Sequence, residues 1–256
     1  MENRTAREFD VQLPVGYIDE DGRRHRTATL RKMTGHEEAL LADRKLRQNG
    51  GLLVSQLVAS CLRKLGDLDP VPRGVAARLT SPDRNYLLLE LRKITFGQEM
   101  ETSYRCPHCG ETTLVLQDLD ELPVRYAEDP APDEIAVELG DGYVDKGGEV
   151  YTAVAFRLPT GADEEKVAGA LKDNPSRGMN ALLARCLVSL GDMPPERREA
   201  LGTKILNDLT MADRHRIERA FRQEMPGVDL TQEVACDSCG RSFRTTLDLT
   251  GFFTMQ

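Results

Sequence analysis

Apolar and polar positions alternate from Phe9 to Val15 and again from Arg26 to Leu30, with Asp19-Glu20-Asp21-Gly22 between them. A period of two puts successive side chains on opposite faces of a strand, so the pair reads as a hairpin with a short polar loop. Gly140 to Leu158 repeats the idea around Lys146-Gly147-Gly148. The period then lengthens. Thr34 and Thr160 are each placed to cap a helix, and Leu40, Leu41 and Leu46 fall on helical spacing. Apolar residues at 53, 54, 57, 58, 61, 62 and 65 predict a helix over Leu52 to Leu65, stopped by Gly66. Thr80-Ser81-Pro82-Asp83 predicts another helix start, with Pro82 near the first position, running through Leu87, Leu88, Leu91 and Ile94 to Gly97. Later, Asp192-Met193-Pro194-Pro195 breaks the chain before a helix from Glu196 to Leu206, and Thr210 to Phe221 forms the last one.

The pattern repeats at a spacing of about 130 residues. Thr34-Gly35 before Glu37-Glu38 recurs as Thr160-Gly161 before Asp163-Glu164. The run from Leu57 to Asp67, with Cys61 and Leu65-Gly66-Asp67, recurs from Leu182 to Asp192, with Cys186 and Leu190-Gly191-Asp192. Leu79-Thr80, Asp83-Arg84 and Arg92 return as Leu209-Thr210, Asp213-Arg214 and Arg222. At the same offset Cys106-x-x-Cys109-Gly110 becomes Cys236-x-x-Cys239-Gly240, and Asp118-Leu119 becomes Asp248-Leu249. One order kept across four segments points to a tandem duplication. The expected fold is α+β: two copies of a unit made of an N-terminal β-hairpin, a helical bundle and a β-ribbon carrying a knuckle. The first copy spans 1–125 and the second 135–256, with an acidic, Pro-rich linker at 126–134 that contains Pro130 and Pro132.

Length agrees, since 256 residues exceed one ordinary domain and accommodate two. With 40% hydrophobic and 30% charged residues and a mean hydropathy of −0.43, the chain can build real cores, which excludes disorder throughout. No apolar run is long enough to span a bilayer, and Met1 to Asp10 lacks the apolar centre of a signal peptide, so the expectation is a soluble, unexported protein without membrane insertion. The net charge of −8 argues against a protein whose main task is neutralising nucleic-acid phosphates. Residues 1–125 hold 19 basic and 19 acidic side chains, so the whole excess lies in the second half. Tyr126 to Asp145 alone has seven acids and no Lys or Arg, which localises the acidity around the joint.

Six cysteines carry the candidate chemistry. Cys61 and Cys186 occupy the apolar face of equivalent helices and read as core packing. For the Cys-x-x-Cys pairs three chemistries compete. A redox pair belongs at a helix start, whereas strand-like Thr112 to Leu116 and Phe243 to Leu247 follow these pairs. Structural disulfides require an oxidising compartment. Zinc takes four thiolates tetrahedrally, which Cys106, Cys109, Cys236 and Cys239 supply, and the glycine after each pair suits a tight knuckle turn. Each copy holds only half a site, so the expectation is one structural Zn2+ shared between copies that meet about a pseudo-twofold axis. His108, lying between two ligands, is expected to face solvent. Asp83-Arg84 and Asp213-Arg214 read as ordinary first-turn chemistry, and Arg23-Arg24-His25-Arg26 as a solvated turn. The chain has no Gly-rich phosphate loop, Gly-x-Ser-x-Gly elbow or His-Glu-x-x-His helix, hence no catalytic constellation and no expected small-molecule substrate.

Met33-Thr34-Gly35-x-Glu37-Glu38, Asp83-Arg84-x-x-Leu87, Leu91-Arg92-x-x-Thr95-x-Gly97, the Cys106 pair, and the Cys236 pair ahead of Phe252-Phe253 together resemble the baseplate hub and hub-assembly chaperone proteins of T4-like phage tails, which have relatives in phage-derived contractile injection systems. The resemblance implies a non-enzymatic component or assembly chaperone. It would act through other baseplate, hub or spike proteins, in the cytoplasm of a bacterial host during assembly, whether or not it stays in the finished particle. Two rivals from other classes remain at this stage. A zinc-ribbon nucleic-acid-binding or regulatory protein would use Arg105, Arg241 and Arg244 against phosphates, and a thiol oxidoreductase would need reactive thiolates.

Overall fold

A computed structural model describes residues 8–128 and 134–247. Most of the expected linker, together with Asp248-Leu249 and Phe252-Phe253, lies outside the described residues. Strands β1 (Glu8–Ile18) and β2 (Arg24–Arg31) form the expected hairpin, followed by α1 (Gly35–Ala42), α2 (Gly50–Cys61), β3 (Leu62–Leu65), the short α3 (Val75–Arg78) and the long α4 (Ser81–Phe96). The ribbon β4 (Glu99–Arg105) and β5 (Thr112–Asp118) comes next, then the two-residue β6 (Val124–Arg125). The second half runs β7 (Glu134–Val144), β8 (Val150–Arg157), α5 (Gly161–Asp173), α6 (Pro175–Cys186), β9 (Leu187–Leu190), α7 (Pro195–Leu201), α8 (Thr203–Asp208) and α9 (Met211–Glu224). It closes with β10 (Gly227–Val228), β11 (Thr231–Ala235) and β12 (Ser242–Thr246). The architecture is α+β, and no helix among the described residues is long and apolar enough to cross a membrane.

Two three-stranded antiparallel sheets have the same order, β1-β2-β3 and β7-β8-β9. Their third strands correct the expected helix over Leu52 to Leu65. The helix ends at Cys61, and Leu62 to Leu65 pairs with β2, whose free edge offers hydrogen bonds a helix would leave unmet. Leu62 and Leu65 are both buried in that strand through an irregular register, so a 3.6-residue spacing concealed the change. The helix expected from Glu196 to Leu206 is two, divided at Gly202, whose φ of 51° leaves the helical region.

Each hairpin is kinked at the same point, between Gln12 and Tyr17 in β1 and between Glu138 and Tyr143 in β7. A bulge frees backbone amides from the ladder. In the first half the carboxylate of Asp83 accepts from Val15 and Gly16 N–H at 2.8 and 3.0 Å. In the second, Asp213 accepts from Gly140, Asp141 and Gly142 at 2.5, 3.0 and 2.9 Å. Both aspartates are fully buried in the first turn of α4 and α9. They are therefore tertiary anchors that clamp a helix start onto a sheet, not the local cap chemistry their position suggests. His25, expected in a solvated turn, is also buried, stacked on Tyr17 and bonded to Asp19 at 2.8 Å.

A second clamp joins each sheet to the next helix. Arg31 binds Glu37 through both carboxylate oxygens at 2.6 and 2.9 Å, and Arg157 binds Asp163 at 2.7 and 3.1 Å. Glu37 and Asp163 also complete capping boxes with Thr34 and Thr160.

The halves are interlocked. Leu13, Leu30, Leu57, Leu87 and Leu91 form the first core together with Val234 and Leu247 of the last ribbon, while Phe156, Leu190, Ile205 and Ile217 lie in the second. β6 pairs with β10 across the halves. On the helical side Ser81 N–H donates to Pro159 O at 2.7 Å and Gly161 N–H to Leu79 O at 3.1 Å, so the start of α4 docks on the start of α5. Between them lies Arg84 with no exposed surface, donating to Ser55 Oγ, Ala76 O and Gly51 O at 2.7–2.8 Å, with Nε 3.3 Å from Glu164 Oε2.

Two expectations follow. A Cβ on Gly161 would sit 2.1 Å from the Arg84 guanidinium, whereas one on Gly35 meets nothing within 4 Å. Gly161→Ala should therefore cost about 1–3 kcal/mol in chemical denaturation, and Gly35→Ala should be neutral or slightly stabilising. Burial alone would raise the Asp163 carboxyl, but bonds from Arg157 and Thr160 hold it at about 2, below its ordinary 3.8. A depressed folded pKa stabilises the protein above the unfolded value and is lost as pH falls through the folded one. Asp163→Asn should cost about 2 kcal/mol at neutral pH, and the gap from the parent protein should close between pH 3.8 and about 2.

Candidate functional site

The two ribbons end in knuckles of identical backbone design. In the first, Cys106 N–H donates to Glu111 O at 2.8 Å and Gly110 N–H to Cys106 O at 2.9 Å; in the second, Cys236 N–H donates to Arg241 O at 3.0 Å and Gly240 N–H to Cys236 O at 2.8 Å. Gly110 and Gly240 have φ of 81° and 68°, a left-handed turn that costs a side-chain-bearing residue more than glycine. This closes each loop tightly enough to bring both sulfurs of a Cys-x-x-Cys pair to one side. Asp237 N–H donates to Thr113 Oγ1 at 3.3 Å, tying the second knuckle to the first ribbon.

All four sulfurs come together. Cys106, Cys109, Cys236 and Cys239 have Sγ atoms within 4.8 Å of one another. Cys106 Sγ lies 3.8 Å from Cys239 Sγ, and Cys109 Sγ 3.6 Å from Cys236 Sγ. A disulfide requires about 2.05 Å, so these are not bonded pairs. Thiolates bonded at about 2.3 Å to a tetrahedral ion stand about 3.8 Å apart, and the observed spacings match that edge. The cross-knuckle contacts pair the first cysteine of one knuckle with the second of the other in both directions, the relation a local twofold produces. Cys106 and Cys236 are buried and Cys109 and Cys239 exposed.

The electrostatics fit a cation. Backbone N–H of Cys239, with bonds from Thr113 and Ser238, draws the Cys236 thiol down to about 6. A bond from Glu111 N–H favours the Cys109 thiolate too, yet burial and the surrounding sulfurs push that thiol up to about 12. Four sulfurs this close ionise together only with positive charge between them. His108 N–H donates to Cys106 Sγ at 3.4 Å while the residue itself is exposed, as expected of a position between the two cysteines.

Cys61 and Cys186 lie far from this chemistry. Both are buried in the cores, and desolvation pushes each thiol up to about 12, which leaves them unreactive. Of the arginines near the knuckles, Arg105 is engaged with Gly110 O at 3.1 Å, and Arg244 stands opposite Glu233 across the β11–β12 ladder. The polar joint around Arg84 escaped sequence reasoning. Its one signal, the recurrence of Asp-Arg after Leu-Thr, is also what a pair of ordinary helix caps would leave.

No curated protein and no solved structure matches the chain. A family model described as T4 bacteriophage base plate protein matches residues 8–254, nearly the whole length, and the chain belongs to that family.

Proposed function

We propose that the chain is a tandem duplication, 1–125 and 135–256 with the joint between, whose two half-sites hold one structural Zn2+ through Cys106, Cys109, Cys236 and Cys239. The approach of four sulfurs from knuckles 130 residues apart in sequence carries this reading. The all-thiolate donor set suits zinc, which is redox-inert and accepts tetrahedral geometry without preference. The ion would supply structural energy alone. With no open coordination position and no acid–base group among the ligands, it offers substrate nothing, in keeping with a non-enzymatic protein.

Membership of the baseplate family implies contacts with other baseplate proteins. We infer that this chain serves as a structural component or assembly chaperone of a contractile phage-tail or injection-system baseplate. It would meet hub or spike proteins in the bacterial cytoplasm while the particle is built. Interlocked halves pinned at the knuckles give such a protein a fixed shape, with which it can dock on partners with little backbone change.

Elemental analysis of the purified chain should return one zinc per chain; two, or none, would defeat the shared site. Before chelation the four knuckle cysteines should resist a thiol reagent, and afterwards react while Cys61 and Cys186 stay protected. Expression from its own operon should bring the protein down with hub, spike or wedge proteins, and recovery always alone would count against the baseplate role.

A further inference from the structure

The docking of α4 on α5 uses two different surfaces. The start of α4 in the first half is one, and the start of α5 in the second is the other. Each half, however, has a version of both. By the sequence correspondence, Leu79, Thr80 and Arg84 match Leu209, Thr210 and Arg214, while Thr160, Gly161 and Glu164 match Thr34, Gly35 and Glu38. An interface made from two unlike faces leaves one of each unused at the ends of the chain. We propose that these unused faces join chains head to tail, the start of α9 in one chain docking on the start of α1 in a second copy as α4 docks on α5.

Three observations carry this. The used faces are covered and their counterparts open: Gly161 and Ser81 are buried, Gly35 is exposed, and Met211 in the place of Ser81 is 76% exposed. Charge is complementary and unspent, for among the described residues neither Glu38 nor Arg214 has an ion-pair partner, whereas their counterparts Glu164 and Arg84 pair at 3.3 Å. Finally, Asn180 holds the place of Ser55, which accepts from Arg84 Nη1 at 2.7 Å. Asn180 is 8% exposed, its amide N–H donates to Asn207 at 2.7 Å, and its Oδ1 is buried without a partner. An unmet buried acceptor costs stability unless something supplies a donor, and a docked Arg214 would reach it from the direction Arg84 takes to Ser55.

The outer joint differs from the inner at one point. Gly51, which lets α2 approach the Glu165 backbone, is Ser176 in α6, and Glu165 itself is Ala39 in α1. The helices then stand further apart, which makes association between chains weaker than the joint within one and therefore reversible.

The equivalence of the halves underlies this proposal but the metal does not, so a zinc-loaded chain that never associates would overturn it and leave the cysteine site intact. Sedimentation velocity on the full chain should give a mass that rises with concentration beyond one chain. Glu38→Arg and Arg214→Glu each place like charges at the joint and should weaken association on the order of 100-fold. Glu38 is exposed and Arg214 half-buried, and unchanged melting curves would verify folding. An equimolar mixture of the two variants should associate again, because every chain then meets an opposite charge at both ends. A parent chain that stays monomeric at all concentrations, variants that associate like the parent, or a mixture that fails to recover would each overturn the proposal.

Discussion

A guanidinium removed from water has to find nearly all of its hydrogen bonds inside the protein, and Arg84 finds them by drawing three helices and the second half around it. Its donors reach the side chain of Ser55 and carbonyls of Ala76 and Gly51, which fixes α2 and α3 against α4. Its charge is answered from across the joint by Glu164, with Ser81 bonded to the same carboxylate. Burial lowers the arginine's affinity for its proton, and the acids of α5 offset only part of that loss. The second half thus completes a charge balance the first half cannot close alone, and Gly161 is the position where that arginine leaves no room for a side chain.

The aspartates next in sequence perform a related task for the sheets. Kinking β1 and β7 releases amides that the ladder no longer uses, and Asp83 and Asp213 accept them. Their surroundings differ. Burial dominates at Asp83 and lifts its carboxyl to about 6, whereas at Asp213 three backbone N–H groups outweigh burial and hold it low. The helices differ in the same sense, since α4 buries ten of its residues whereas α9 buries only Asp213 and Ile217.

The cysteine site depends on the same interlock. β6 grips β10, and Val234 and Leu247 enter the first core, so the last ribbon is carried across to the first half. Once the ribbons lie together, the knuckle turns, each closed by a left-handed glycine, aim four sulfurs at one point. One acid of the run around the joint is structural: Asp145 is buried in the β7–β8 turn, accepting backbone N–H of Gly147 and Glu149 and pairing with Arg197 at 2.5 Å.

Much of this was legible in the residues. Alternation located both hairpins, capping threonines located α1, α4, α5 and α9, and the Cys-x-x-Cys-Gly spacing located the four cysteines that cluster, because each is a local rule that works over a few residues. The end of α2 was not legible, since Leu62 and Leu65 fit a helix stripe as well as an irregular strand, and only the open edge of β2 decides between them. Nor were the roles of Asp83 and Arg84, for a carboxylate in a first helical turn looks the same whether it caps its own helix or clamps a distant sheet. Sequence by itself determined most of the elements and the chemistry each could offer. Tertiary structure decided which of them meet, because the buried charge of Arg84 and the amides freed by the bulges can be satisfied only by groups far away along the chain.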